Sequence, residues 1–138
     1  VLDHVTWEDA VMQEEIFGAV LPLMTFERIE TVIEQINERD KPLALYLFSK
    51  HKATQEKILA EISFGGGCIN DTLLHLTNNK LPFGGVGASG MGNYHGQFSF
   101  YTFSHAKAIL NKSTLIDVPL RYPPYQDGKL GLIKKVVG

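Results

Sequence analysis

The chain has 138 residues, 44% of them apolar and 20% charged, with a formal net charge of −2. That length fits one domain, and its interspersed acids and bases form no basic face to neutralise phosphates, which argues against nucleic acid. The single cysteine, Cys68, excludes an internal disulfide, and the longest apolar runs fall well short of the ~20 residues that span a bilayer, so no transmembrane segment is expected.

The opening residues, Val1 to Glu8, carry neither a charged n-region nor an apolar core, so no signal peptide is read and the expected location is cytoplasmic. Val20 to Phe26 reads as a short, mostly apolar strand, with Pro22 assigning it an edge or an end. Ile29, Val32, Ile33 and Ile36 then recur at i, i+3, i+4 and i+7, which lays one apolar stripe along a helix. Lys41-Pro42 closes that helix, because the residue before proline is pushed out of the α region.

Leu43 to Phe48 is a continuous apolar run, the pattern of a strand covered on both faces. A second helix is expected from about Thr54 to Ile62, with Ile58, Leu59 and Ile62 inward and Gly65-Gly66-Gly67 ending it. Cys68-Ile69-Asn70 makes a third strand. This β-α-β-α-β order is that of a partial α/β layer on a parallel sheet.

From Leu81 the character changes. Gly84 to Gly92 is too glycine-rich for helix or strand and is expected as a loop with special backbone angles. Phe98 to Leu110 alternates aromatic and polar residues, which predicts a long half-buried strand. Pro119, Pro123 and Pro124 make the tail irregular, and Lys129 to Val137 suits a short amphipathic helix.

Gly85-Val86-Gly87-Ala88-Ser89-Gly90 matches the dinucleotide fingerprint G-x-G-x-x-G. That fingerprint requires a strand before it, a helix after it and an acid about twenty residues on. Pro82 precedes it here, an aromatic segment follows, and Ile109, Leu110 and Asn111 stand near the acid's place. The match is accidental. Cys68, among Gly67, Ile69 and Asn70, reads as a core cysteine rather than a nucleophile, which would need a base or positive field beside it. His4, His51, His75, His95 and His105 show no metal-ligand spacing, so no metal site is expected.

Two segments say more. Glu14-Glu15-Ile16-Phe17-Gly18-Ala19-Val20-Leu21-Pro22, followed by Leu81-Pro82-Phe83-Gly84-Gly85 through Met91-Gly92-Asn93-Tyr94-His95-Gly96, resembles the C-terminal third of NAD(P)-dependent aldehyde dehydrogenases. The Met91 to Gly96 ending, the Phe100 to His105 stretch and Leu120-Arg121-Tyr122-Pro123-Pro124 are similar to the class 3 branch. The likeness runs from about Met12 to Tyr125, in order and spacing. Ala19 departs from it, standing where the family motif has proline.

The resemblance implies a division into residues 1–96 of a catalytic domain, an oligomerisation strand at 97–112 and a C-terminal tail at 113–138. It implies NAD or NADP as cofactor, with Glu15 accepting from the nicotinamide ribose hydroxyls and Phe17 packing at the nicotinamide end. A carboxylate's two oxygens suit a vicinal diol. Phe83 and His95 are similar to residues that line the aldehyde pocket.

The reaction implied is oxidation of an aldehyde to a carboxylic acid by a cysteine nucleophile and hydride transfer. The nucleophile, the general-base glutamate and the Rossmann segment belong N-terminal to this portion of the family, so no catalytic residue is assigned and the segment alone is expected to be inactive. A homodimer is the expected assembly. The competing reading is a non-catalytic structural or partner-binding module.

Overall fold

The computed structural model describes residues 1–117, 122–124 and 128–137. The chain divides into two units, Val1–His105 and Ala106–Gly138. In the first, the apolar stripe forms helix α1, Ile29–Asn37. It ends before Pro42 is reached: the Glu38 and Arg39 amides close the last turn on Glu34 and Ile36, and Asn37 Nδ2 donates to the Glu61 carbonyl at 2.8 Å. Strand β1, Ala44–Leu47, follows, then helix α2, Lys52–Glu61, and strand β2, Gly66–Ile69.

The two strands pair in parallel, with Ala44 opposite Gly66 and Tyr46 opposite Cys68. This is the α/β layer expected, with a small parallel sheet. The core is correspondingly small. Ile33, Ile58 and Ile62 are its buried residues, with Leu45, Leu47 and Phe64 packed against them. Leu45 and Leu47 alternate with Tyr46, so one face of β1 meets the helices and Tyr46 meets His75 on the other, 5.7 Å between ring centroids. Leu59, expected inward, is 50% exposed, since helical geometry turns it away from the Ile58 and Ile62 side.

The first predicted strand is reduced to a clasp. Leu2 donates to the Leu21 carbonyl and accepts from the Leu23 amide, both at 2.8 Å, and Val5 donates to Leu23 at 3.2 Å. Pro22, which has no N–H to give, sits at the bridge with Leu2.

Over Phe98 to Thr102 the predicted strand is replaced by a helix. Gly96–Thr102 is helix α3, closed by Phe98 donating to His95 and Phe103 to Ser99, and residues 104–110 have no ladder partner among the described residues. Phe98 and Tyr101, like Phe100 and Phe103, are also three residues apart, a spacing that fits a short helix, and a strand needs an edge to pair with. In the second unit Lys129–Val137 forms helix α4, as expected, and Lys112 pairs with Asp117 at 2.9 Å. Pro119, Leu120 and Arg121 of the tail motifs lie outside the described residues. No helix is long and apolar enough to cross a membrane among the described residues.

Lys57 on α2 bonds Glu30 on α1 at 2.9 Å, both side chains part-exposed. The lysine's hydrogen bond lowers the Glu30 pKa below the ordinary glutamate value, and the same bond raises that of Lys57. The Glu30 contribution is therefore complete above the ordinary carboxylate range and is lost as pH falls through its depressed value; the Lys57 contribution is lost only in strong alkali. Thermal midpoints followed by circular dichroism should fall with acid below about pH 4.3, and Lys57→Met should flatten that part of the profile.

Candidate functional site

The glycine-rich segment is a loop tied shut at its base. Phe83 and Tyr94 exchange backbone hydrogen bonds of 3.0 and 2.9 Å, an antiparallel bridge that closes residues 84–93 between them. Inside the loop Ser89 Oγ accepts from the Val86 amide at 2.9 Å and donates to the Val86 carbonyl at 3.1 Å, which shapes the short turn Gly87–Ser89. Thr102 of α3 braces the other limb, its hydroxyl donating to the Asn93 carbonyl at 2.6 Å. No strand directly precedes this turn and α3 starts only at Gly96, so the immediate strand–turn–helix context of the fingerprint is missing.

Glycine is required where the limbs cross. A Cβ on Gly84 would overlap the Gly92 carbonyl oxygen, and one on Gly85 the Ser89 carbonyl. Both obstacles are backbone and cannot swing aside.

The bridge sets Phe83 at the centre of an aromatic cluster. Its ring lies 5.4 Å from Tyr94, 6.2 Å from His95 and 6.1 Å from His75. His95 has φ +96°, a region non-glycine residues seldom occupy. The conformation is held from both sides: its amide donates to Ser99 Oγ at 3.1 Å and its Nδ1 lies 3.1 Å from the Leu81 carbonyl. A carbonyl oxygen only accepts, so Nδ1 carries a proton and a neutral ring offers Nε2 as an acceptor.

Two hollows flank the loop. One, of about 880 Å³, is lined by Glu15, Trp7, Arg39, Lys41 and Ser89 among others; Arg39 stacks over the Trp7 ring at 3.8 Å. The other, of about 310 Å³, is lined by Phe83, Met91, Tyr94, Thr102 and Phe103 together with loop backbone. Leu43 and Ser89 line both, so the loop is the partition between them.

The sequence-predicted residues thus fall into groups. Phe83 and His95 are brought together, although His95 does not line the smaller hollow. Glu15 stands across the partition, exposed, with no hydrogen bond or ion pair among the described residues. Phe17 joins neither hollow and is 94% exposed.

Sequence reasoning missed His75. It is buried, and its Nδ1 lies 3.5 Å from Cys68 Sγ, so the cysteine does have a nitrogen base beside it. The available signal was Asn70-Asp71-Thr72, turn-forming residues just after β2; Asn70 and Leu73 take positive φ and fold the chain back over the strand.

Comparison with known proteins adds to this geometry. Residues 1–109 match the family model described as the aldehyde dehydrogenase family. The chain is 54% identical over 134 residues to 4,4'-diaponeurosporen-aldehyde dehydrogenase of Staphylococcus aureus, covering 97% of this chain and 29% of that protein. It is 49% identical to aldehyde dehydrogenase family 3 member H1 of Arabidopsis thaliana, covering 99% and 28%. Among solved structures, the substrate-bound state of Staphylococcus aureus AldH superposes with a TM-score of 0.84 at 53% identity, covering 99% of this chain and 30% of that one. The NAD⁺ complex of an aldehyde dehydrogenase from Bacillus cereus gives 0.68 at 30% identity, covering 75% and 21%. The chain therefore spans under a third of the length of the relatives it matches.

Proposed function

The chain belongs to the aldehyde dehydrogenase family, its relatives including family 3 members at about half identity, and from that membership we propose that it is the C-terminal portion of an enzyme that oxidises aldehydes to carboxylic acids with NAD or NADP. The observation that carries the reading is the glycine loop. It separates a hollow holding a free carboxylate from one walled by aromatic rings.

In this reading Glu15 holds the nicotinamide ribose diol and Phe17 packs against the nicotinamide end. Phe83, with His95 beside it, walls the aldehyde side. The dinucleotide, when bound, supplies a hydride acceptor. Hydride passes only between carbons in near contact, so in this reading the loop orients each reactant from its own side and does not stand between their reacting carbons; the residues of this chain do not attack the carbonyl. A cytoplasmic location and a homodimer are part of the same proposal, as is the inactivity of the segment alone.

The test is Glu15→Gln in the complete enzyme. Replacing a charge-assisted acceptor by an amide leaves weaker neutral hydrogen bonds, so cofactor KM should rise, or hydride transfer slow, on the order of ten-fold. The aldehyde KM should move little. An unchanged cofactor KM and hydride-transfer rate would remove Glu15 from the site.

A further inference from the structure

His75 sits where the small sheet meets the aromatic cluster, only 7% exposed. One ring nitrogen, Nδ1, is tied to Cys68 Sγ at 3.5 Å; the other, Nε2, is buried with no hydrogen-bond partner among the described residues. A buried polar atom left unpaired weakens a fold. Packing alone would therefore favour phenylalanine at this place. What the imidazole adds is the tether to Cys68, which fixes the rotation of the ring.

That rotation matters because of what leans on the ring. Tyr46 of β1 stands edge-on behind it, with ring planes at 65°. Gly66 of β2 lies beneath, so close that a Cβ there would come within 3.2 Å of Cδ2. Phe83 faces it from the loop, tilted at 49°. Phe83 in turn lines the smaller hollow, whereas His75 and Cys68 do not.

We propose that His75 is a positioning residue: tethered to Cys68 and backed by Tyr46, it sets the angle at which Phe83 presents its ring to the aldehyde. The inference rests on the reading of Phe83 as a wall of the aldehyde site. It gives the Cys68–His75 pair a task other than nucleophilic catalysis.

A double-mutant cycle on the complete enzyme tests it, with the best substrate from a panel of aliphatic and aromatic aldehydes. His75→Ala should raise the aldehyde KM about ten-fold while kcat stays within about three-fold, and adding it to Phe83→Ala should raise KM no further. Additive effects would overturn the proposal, because His75 would then not act through Phe83. A silent Phe83→Ala would overturn the pocket reading itself, and the positioning role with it.

If His75→Ala fails to fold, Cys68 supplies the second arm. Cys68→Ala cuts the tether with little change in volume and should raise the aldehyde KM about three-fold, whereas Cys68→Ser keeps a partner for Nδ1 and should return it to within about two-fold of the parent. No KM change in Cys68→Ala, or an equal change in both variants, would overturn the tether. A collapse of kcat in Cys68→Ala at unchanged KM would overturn it too, by making Cys68 the nucleophile.

Discussion

Incubated with an aldehyde and NAD or NADP, the 138-residue chain alone is expected to form no NAD(P)H above the enzyme-free rate, and Cys68→Ser should leave that result unchanged. The pairing of Cys68 with His75 makes this worth measuring, since a thiol beside an imidazole is the minimal nucleophile–base pair. Three observations oppose it. The His75 ring is shut in by Tyr46 and Phe83 and is buried. Cys68 does not line the hollow that carries Phe83. The sheet beside it has two strands, and the glycine turn lacks the strand–helix context that binds a pyrophosphate.

Without positioned nucleophile and hydride acceptor, the enhancement of at least ~10⁶-fold typical of enzymes has no source here. The measurement is absorbance at 340 nm against a buffer control, to which the reduced nicotinamide alone contributes. Turnover by the isolated chain that disappears in Cys68→Ser would reverse the assignment and make the pair catalytic.

The second large effect is expected at Gly85. In Gly85→Ala the new methyl group meets the Ser89 carbonyl within the same loop, so relief requires parting the two limbs. That breaks the Ser89–Val86 hydrogen bonds and strains the Phe83–Tyr94 bridge. Overpacking against backbone with loss of those bonds should cost about 3 kcal/mol, which for a chain of this size lowers the melting temperature by roughly 10 °C. Gly18→Ala is the control, since a Cβ there meets nothing within 4 Å. If Gly85→Ala melts like the parent chain, the loop is not the rigid partition described.

How much of this was legible in the sequence depends on whether a feature is set by near neighbours or distant ones. The helical stripe at Ile29 to Ile36 is local, and α1 begins where the periodicity begins. The apolar run at Leu43 to Phe48 likewise gave β1 within a residue or two. Leu59 failed because a continuous apolar pair, Ile58-Leu59, does not say which member faces the core.

Phe98 to Thr102 failed for a different reason. Its aromatic residues are spaced by both two and three, and the choice rests on whether another strand is alongside. The site divides in the same way. Phe83, His95 and Glu15 came from motif order, and the structure adds what motif order lacks: the Phe83–Tyr94 bridge and the shared partition. His75 was invisible because its partner, Cys68, is reached through two left-handed residues, Asn70 and Leu73, and backbone handedness at non-glycine positions has only a faint signature in composition.

The clasp between Leu2 and Leu21 to Leu23 has a mechanical consequence for Glu15 and Phe17. Residues 3–20 form a ring whose neck is the pair of 2.8 Å hydrogen bonds at Leu2, with Val5 to Leu23 beside it, and both side chains ride on it, exposed. The entropy of closing such a ring grows only as the logarithm of its length. Lengthening or trimming the ring by a residue or two therefore changes its freedom little, whereas opening the neck leaves it held, among the described residues, only through Trp7, which donates to Gln35 at 3.3 Å and stacks under Arg39. The leash on the carboxylate is held at Leu2, far from it in sequence.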